Sequence, residues 1–408
     1  MRAVLMMLCL LLAGPLLAKE AVVGMSKKTY DTINEVQPLI DEAQWAEAME
    51  ILEKLRERKL SGYETAHVLN MLGFIHYQMD NTAAALASYE EALQQEGLPP
   101  SQVRGLLNAV AQVSLASGDY VSAEKYARQL LEVETEAPQP ISQVILAQAL
   151  IGQERWAEAA EPMQTAIQMQ RDMGSNPREN WLVMLSSIYY SLERYVDMRE
   201  VMYEVVSLYP RERYILNLAA LHGQLDETDK QMALVESLQD DERLEKGFHF
   251  VTLANLFMSH GTPYKAAVLL EEQIAAGNVE ATRQNLELAS QAWYTAGNEA
   301  RAIPPLEQAA AEEDDGELYV RIARLYMDLY KWPEAEKAAR LALDKGVEEA
   351  GAAWLLVGMA LARGDELDAA RKAFVKAAEY EKSEKWARQW MRFVDTEQER
   401  YASLTADS

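Results

Sequence analysis

The chain has 408 residues, 49% hydrophobic and 25% charged, a composition able to bury a core. With 39 Lys and Arg against 64 Asp and Glu the net charge is -25 and the pI is near 4.7, which gives a phosphate backbone nothing to bind and sets nucleic acid aside as a partner. Nineteen Gly and 13 Pro are too few for a collagenous or flexible low-complexity chain, and one Cys can neither close an internal disulfide nor build a thiolate zinc site.

In chain order, the first element reads as a leader, residues 1–18. Arg2 precedes an apolar run from Ala3 to Leu17 that closes on the small Ala18, with Lys19 and Glu20 directly behind. Basic, then apolar, then small is the pattern of a secretory signal peptide, and the run is shorter than the roughly 20 residues needed to span a bilayer. Cleavage after Ala18 is expected, although Leu16 stands where a small residue is preferred; uncleaved, the run would be an N-terminal membrane anchor. Leu8 before Cys9 does not suit a lipoprotein cleavage site. Losing Cys9 with the leader leaves a chain without thiols, which fits an oxidising compartment such as a bacterial periplasm. Residues 19–28 follow as a linker.

From residue 29 to 382 the sequence repeats itself. Units begin near 29, 66, 104, 140, 179, 212, 247, 283, 316 and 351, at spacings of 33 to 39. Each predicts two helices that cross closely, so each helix needs a small residue at the crossing. The first helix supplies Gly73, Ala111, Ala147, Ser186, Ala219, Ala254, Ser290, Ala323 and Gly358; the second supplies Ala48, Ala85, Ala123, Ala159, Ala266, Ala302, Ala335 and Ala370. Large apolar residues, among them Trp45, Tyr120, Trp156, Tyr195, Trp332 and Leu367, stand just before the second helices and are expected to plug each hairpin against its neighbour. Gln231 and Met198 break the alanine column, so a local irregularity is expected near 212–246. The breakers Gly97 to Ser101, Ala137 to Pro140 and Gly174 to Pro177 fall between units. No strand-period stretch intervenes, so the fold class is all-α.

At the end, Ser383 can cap a helix over 383–400 with Trp386, Trp390, Phe393 and Val394 on one face and Lys385, Arg388 and Arg392 on the other. It reads as a capping helix over the last repeat, with 401–408 as a tail. A basic amphipathic stretch with two Trp also permits contact with a membrane surface, so membrane contact is at most peripheral.

Catalytic and metal-site patterns are absent. His67, His76, His222, His249 and His260 form no zinc-ligand spacing, and no nucleophile elbow, phosphate loop or dinucleotide fingerprint occurs. The acidic run Glu312 to Glu317 lacks the alternating ligands of a calcium loop and reads as a solvated turn ahead of a helix. The expectation is a protein that is not an enzyme and holds no cofactor or metal.

The unit Gly351-Ala352-Ala353-Trp354-Leu355-Leu356-Val357-Gly358, continued by Leu361, Leu367, Ala370, Phe374 and Ala377, resembles a tetratricopeptide repeat. The resemblance implies a right-handed superhelical solenoid of about ten helical hairpins whose first helices line a concave groove. Its groove-facing template positions (2, 5, 9, 12 and 13) map here onto Asn70, Phe74, Tyr77, Asn108, Gln112, Gln148, Ser187, Tyr190, Asn255, Gln291, Tyr294 and Arg324. Amides can clamp a peptide backbone without requiring one sequence, and Tyr rings offer flat faces to proline-rich segments.

Longer strings are similar to periplasmic tetratricopeptide proteins of Gram-negative bacteria described as components of the TonB energy-transduction system. These are Thr29-Tyr30 leading to Leu39 through Ala43, Trp45 through Ala48, Pro263 through Ala267, Asp315 through Tyr319, and Ala387 through Trp390. The resemblance implies a scaffold touching TonB, ExbB, ExbD or a TonB-dependent receptor, with an acidic, Tyr-faced groove suited to the Pro-, Lys- and Glu-rich periplasmic stretch of TonB. A scaffold for envelope assembly, serving wall enzymes or lipoproteins, is the alternative.

Overall fold

Close helix crossings organise the chain. A computed structural model describes residues 24–134, 138–312 and 316–406. The leader, its cleavage point and Cys9 lie outside the described residues, as do Ala137 and three acidic-run positions, Glu313 to Asp315. Ten helical hairpins run in order: α1 (Lys27–Asp41) with α2 (Trp45–Arg56), α3 (Gly62–Gln78) with α4 (Thr82–Leu93), α5 (Pro100–Ser117) with α6 (Tyr120–Val133), α7 (Pro140–Gly152) with α8 (Trp156–Asp172), α9 (Glu179–Ser191) with α10 (Tyr195–Leu208), α11 (Glu212–Gln224) with α12 (Thr228–Asp240), α13 (Gly247–Ser259) with α14 (Pro263–Ala275), α15 (Arg283–Thr295) with α16 (Glu299–Glu312), α17 (Gly316–Asp328) with α18 (Trp332–Lys345), and α19 (Ala350–Arg363) with α20 (Leu367–Ala378). A last helix, α21 (Glu381–Ala406), follows. No strand occurs among the described residues.

Contacts divide the helices into two units, parted between Tyr209 and Pro210: α1–α10 in one, α11–α21 in the other. Within each unit every helix packs on the next in sequence.

Both small-residue columns are buried. All eight alanines of the second-helix column are at most 1% exposed, and the first-helix column from Gly73 to Gly358 is buried throughout. A methyl group is all these crossings admit. Where the first helix carries Gly, an aromatic ring from the second fills the space: a Cβ on Gly73 would strike the Tyr89 ring, and one on Gly358 the Phe374 ring. The irregularity expected near 212–246 is absent, because α11 and α12 pair as an ordinary hairpin. Gly223, one turn beyond Ala219, makes the room that Gln231 takes. Aromatic plugs join successive hairpins, as where Trp45 meets Phe74 edge-on at 6.2 Å and Tyr264 meets Trp293 at 5.6 Å.

The turn inside every hairpin is the same. The second residue before each second helix has positive φ: Ala43, Asp80, Gly118, Glu154, Glu193, Asp226, Gly261, Gly297, Tyr330 and Asp365. The N–H of the following residue donates back to a carbonyl in the last turn of the first helix at 2.7–2.9 Å, from Gln44 onto Leu39 through to Glu366 onto Leu361. This Schellman-type closure satisfies carbonyls that the helix end leaves bare. Seven of the ten accept the left-handed cost without glycine.

Three boundaries shift from the sequence reading. The linker ends earlier, since α1 starts at Lys27 with Ser26 as its cap. The terminal helix starts at Glu381 and runs to Ala406, taking in most of the expected tail. Ser383 is therefore no cap; it is buried inside the first turn, where its hydroxyl sits over Gly351. The expected inward face also turns: Ala387 and Val394 are buried and Trp390 stacks on Phe374 at 5.7 Å, whereas Trp386 and Phe393 are 55% and 40% exposed. The small Ser383 and Ala387, not the largest side chains, let α21 approach α19 and α20.

Glu64 fastens the first two hairpins. Its carboxylate accepts the Ser26 N–H at 2.8 Å and the Ser61 N–H and hydroxyl at 2.9 Å, while its own N–H completes a capping box with Ser61. Burial pushes its carboxyl up, but the bonds from Ser61, Ser26 and Thr29 outweigh that and hold it down to about 2. A carboxyl lowered in the folded state stabilises above its unfolded value of 4.5, and that contribution is lost as pH falls toward 2.

Two measurements check this packing. Ala335→Leu overfills a crossing and should cost about 1–3 kcal/mol in chemical denaturation; a variant that unfolds like the parent would show the column misplaced. Acid titration of the parent against Glu64→Gln should show stability lost between pH 4.5 and about 2 in the parent, and a shallower loss in the variant.

Candidate functional site

Once the small columns are buried, the side chains left on the first helices form the open face of each unit. First helices also touch one another across hairpins, α5 on α7 and α17 on α19, so neighbouring faces adjoin. None of the twelve groove residues lies in the buried core.

In the first unit Asn70, Phe74 and Tyr77 are half-buried on α3, Asn108 and Gln112 on α5, and Gln148 on α7; Ser187 and Tyr190 are exposed on α9. Gln112 donates its amide to Asn108 Oδ1 at 2.9 Å, making a linked amide pair. Phe74 is engaged by Trp45, so it belongs to hairpin packing more than to an open surface. The Ser187 hydroxyl is taken by the Val183 carbonyl at 3.0 Å. Tyr190, 58% exposed, stands edge-on to Tyr195 at 6.3 Å and presents a ring face.

In the second unit Asn255, Gln291, Tyr294 and Arg324 are all exposed, and a cavity of about 330 Å³ brings Asn255 and Gln291 together. Val251, Gln284, Asn285, Glu287, Leu288 and Arg321 complete its lining. Gln284 and Glu287 occupy the same template positions as the residues singled out elsewhere, so the repeat pattern could have named them; Arg321 lies one position outside it. Asn255 donates Nδ2 to Val251 O at 2.9 Å and Gln291 donates Nε2 to Thr295 Oγ1 at 3.1 Å. Their amide oxygens are left to accept peptide N–H groups. Glu287 accepts from Arg283 Nε at 2.7 Å and from Arg321. Burial raises its carboxyl, but the two guanidinium partners prevail and hold it below the ordinary range.

A larger cleft of about 630 Å³ opens between α4, α5 and α6 of the first unit, away from these residues. Leu93, Val103 and Leu107 floor it; Glu90, Lys125 and Glu132 rim it. Tyr126 donates to Glu90 at 2.6 Å, and burial together with that carboxylate pushes its phenol up to about 12. No repeat template pointed to this cleft, because its lining lies on the second helices α4 and α6 and on positions of α5 outside the groove template.

The groove is not acidic, contrary to the expectation. From α3 to α13 the six first helices carry five Asp, Glu, Lys or Arg among them: Glu64, Arg104, Glu179, Glu212 and Arg213. The second helices α4 to α14 carry two to four apiece. Along this stretch, helix charge is carried mostly by the second helices. First helices are wedged between neighbours, and an unpaired charge there would be desolvated.

Histidines serve packing. His222 is fully buried with Nδ1 2.5 Å from Glu227, and His260 Nδ1 lies 3.1 Å from Asp229. His249 Nδ1 lies 3.8 Å from Glu212, and burial pushes its ring down. Among the described residues no three His, Cys, Asp or Glu converge as metal ligands, and no helix is long and apolar enough to cross a membrane.

Residues 109–176 and 320–384 match one tetratricopeptide-repeat family model, and residues 65–94 match a second. These segments are tetratricopeptide repeats. They take in α3 and α4, most of α5 through α8, and most of α17 through α20. No curated protein matches the chain significantly. Solved structures similar to it include a tetratricopeptide repeat protein from Parabacteroides merdae, at 17% identity over 63% of this chain and 98% of that one, TM-score 0.34. MamA from Desulfovibrio magneticus is 16% identical over 44% of this chain and 96% of its own, TM-score 0.36. RapI in its apo form is 11% identical over 78% and 97%, TM-score 0.40.

Replacing Tyr190 and Tyr294 with Ala should leave helical circular dichroism and the melting temperature unchanged, since both rings are largely solvated. A drop of several degrees would place them in the core.

Proposed function

We propose that the chain is a non-enzymatic scaffold that holds uncharged, extended stretches of partner protein against its first-helix faces, and that it works in the periplasm to assist TonB-dependent transport across the outer membrane. The observation that carries the binding mode is the second-unit cavity, where Asn255 and Gln291 line one space and Glu287 and Arg321, its two charged lining residues, are paired with each other. Amide acceptors pair with any peptide N–H, so the face reads backbone shape more than side-chain charge. Tyr190 and Tyr294 add ring faces for proline. Lys-rich stretches would find their carboxylates on second helices, beside the groove instead of in it.

The transport role rests on the likeness of the Thr29, Trp45, Pro263, Asp315 and Ala387 strings to periplasmic proteins of the TonB system, and the compartment on the leader at residues 1–18. TonB, ExbB, ExbD or a TonB-dependent receptor is the expected partner.

Photo-crosslinkers placed at Gln291 and at Glu271, on a second helix of the same unit, test both parts in cells. Capture of TonB, ExbD or a receptor from Gln291 and not from Glu271 is the expected result. Capture of wall enzymes or lipoproteins from Gln291 would keep the binding face and move the role to envelope assembly; capture from Glu271 alone would reject the groove.

A further inference from the structure

The end of a helical repeat stack is normally a helix with a polar outer face, because nothing follows to cover it. α21 departs from that rule. Ala387 and Val394 turn inward, and Trp390 is half-buried against Phe374, but Trp386 is 55% exposed and Phe393 40% exposed. The two lie seven residues apart, on one flank of the helix.

That flank reads Lys382, Trp386, Gln389, Phe393, Glu397 at steps of four, three, four and four, the spacing of a helix–helix seam. It is also self-complementary. Reversed about its centre, between Gln389 and Trp390, the line sets Trp386 against Phe393 and Lys382 against Glu397. Charge is biased the same way: Lys382 to Gln389 carries Lys382, Lys385 and Arg388 against Glu384, and Trp390 to Glu397 carries Asp395 and Glu397 against Arg392. Lys382 pairs with Glu349 and Glu397 with Arg400 within one copy, so dimerisation exchanges these pairs for contacts across the two-fold axis.

We propose that α21 is a homodimerisation surface, two copies of the chain pairing their terminal helices antiparallel about a two-fold axis centred between Gln389 and Trp390. A two-fold contact requires one patch to complement itself, and this flank does so in both apolar and ionic content. The aromatic pair supplies the attraction; Lys382 and Glu397 fix direction and register, since a parallel pairing would set like charges side by side. One helix per copy buries less than a standard stable interface, so the dimer is reversible, with a Kd on the order of tens of micromolar.

Sedimentation equilibrium of the purified chain from about 1 to 500 µM brackets that constant and reads the proposal directly. A monomer–dimer equilibrium is expected, with Trp386→Ala and Phe393→Ala each weakening it about tenfold or more, as central interface aromatics do. Lys382→Glu and Glu397→Lys should each weaken it roughly threefold or more, and the double swap should return it to within about twofold of the parent, because only facing residues compensate. Lys382 is largely solvated and neither swap touches the aromatic residues, so the swaps keep the test open should an aromatic variant fold poorly. A single monomeric mass at every concentration, association undiminished in Trp386→Ala, or a double swap no better than its parents would each overturn the proposal.

Discussion

Most hairpins in this chain depend on one steric condition, from which Met198 on α10 departs: two helices cross where neither side offers more than a methyl or hydroxymethyl group, or where a glycine gives way to a ring or a long amide. Ala48, Ala85 and Ala123 meet that condition on second helices as Ala111, Ala147 and Ser186 do on first helices, all at most 5% exposed. Close approach brings many weakly attracting atoms into range at once. Larger residues are accepted only with compensation, as Gly358 with Phe374 and Gly223 with Gln231 show. The condition is local to each pair, so the repeat tolerates spacings from 33 to 39 residues without losing its hairpins.

The same closeness sorts charge. A first helix has neighbours on several sides and can afford few ions, whereas a second helix keeps a broad solvent face. From α3 to α13 five charged residues stand on the first helices, while α6, α8, α10 and α12 carry four each. On the proposed reading, the net charge of -25 acts mainly on long-range encounter and the first-helix faces recognise partners through amides, rings and shape. Charge returns to the first helices at α15 and α17, where Glu287 is held by Arg283 and Arg321.

The last helix follows the packing condition on its inner side and breaks the solubility rule on one flank. Ser383 and Ala387 let it approach closely, which turns Trp386 out toward solvent. A helix built this way covers α19 and α20 on one side and leaves an aromatic edge on another.

Much of this was legible in the amino-acid order, for a physical reason: Ala and Gly at crossings, and Trp or Tyr opening second helices, are local requirements that recur in every unit. The helical hairpins and their approximate starts follow from that recurrence. The turn conformation did not, because Ala43, Glu193 and Tyr330 adopt positive φ without the glycine that would announce it; a carbonyl-closing bond, set by the helix ends, decides it. Nor did the fit of Gln231, the tie from Glu64 to Ser26, or the orientation of Trp386 and Phe393, each of which depends on a partner outside its own helix. Sequence determined what each repeat must be. Tertiary structure decided which side chains the packing left over, because exposure belongs to the neighbours a residue finds and not to the residue alone.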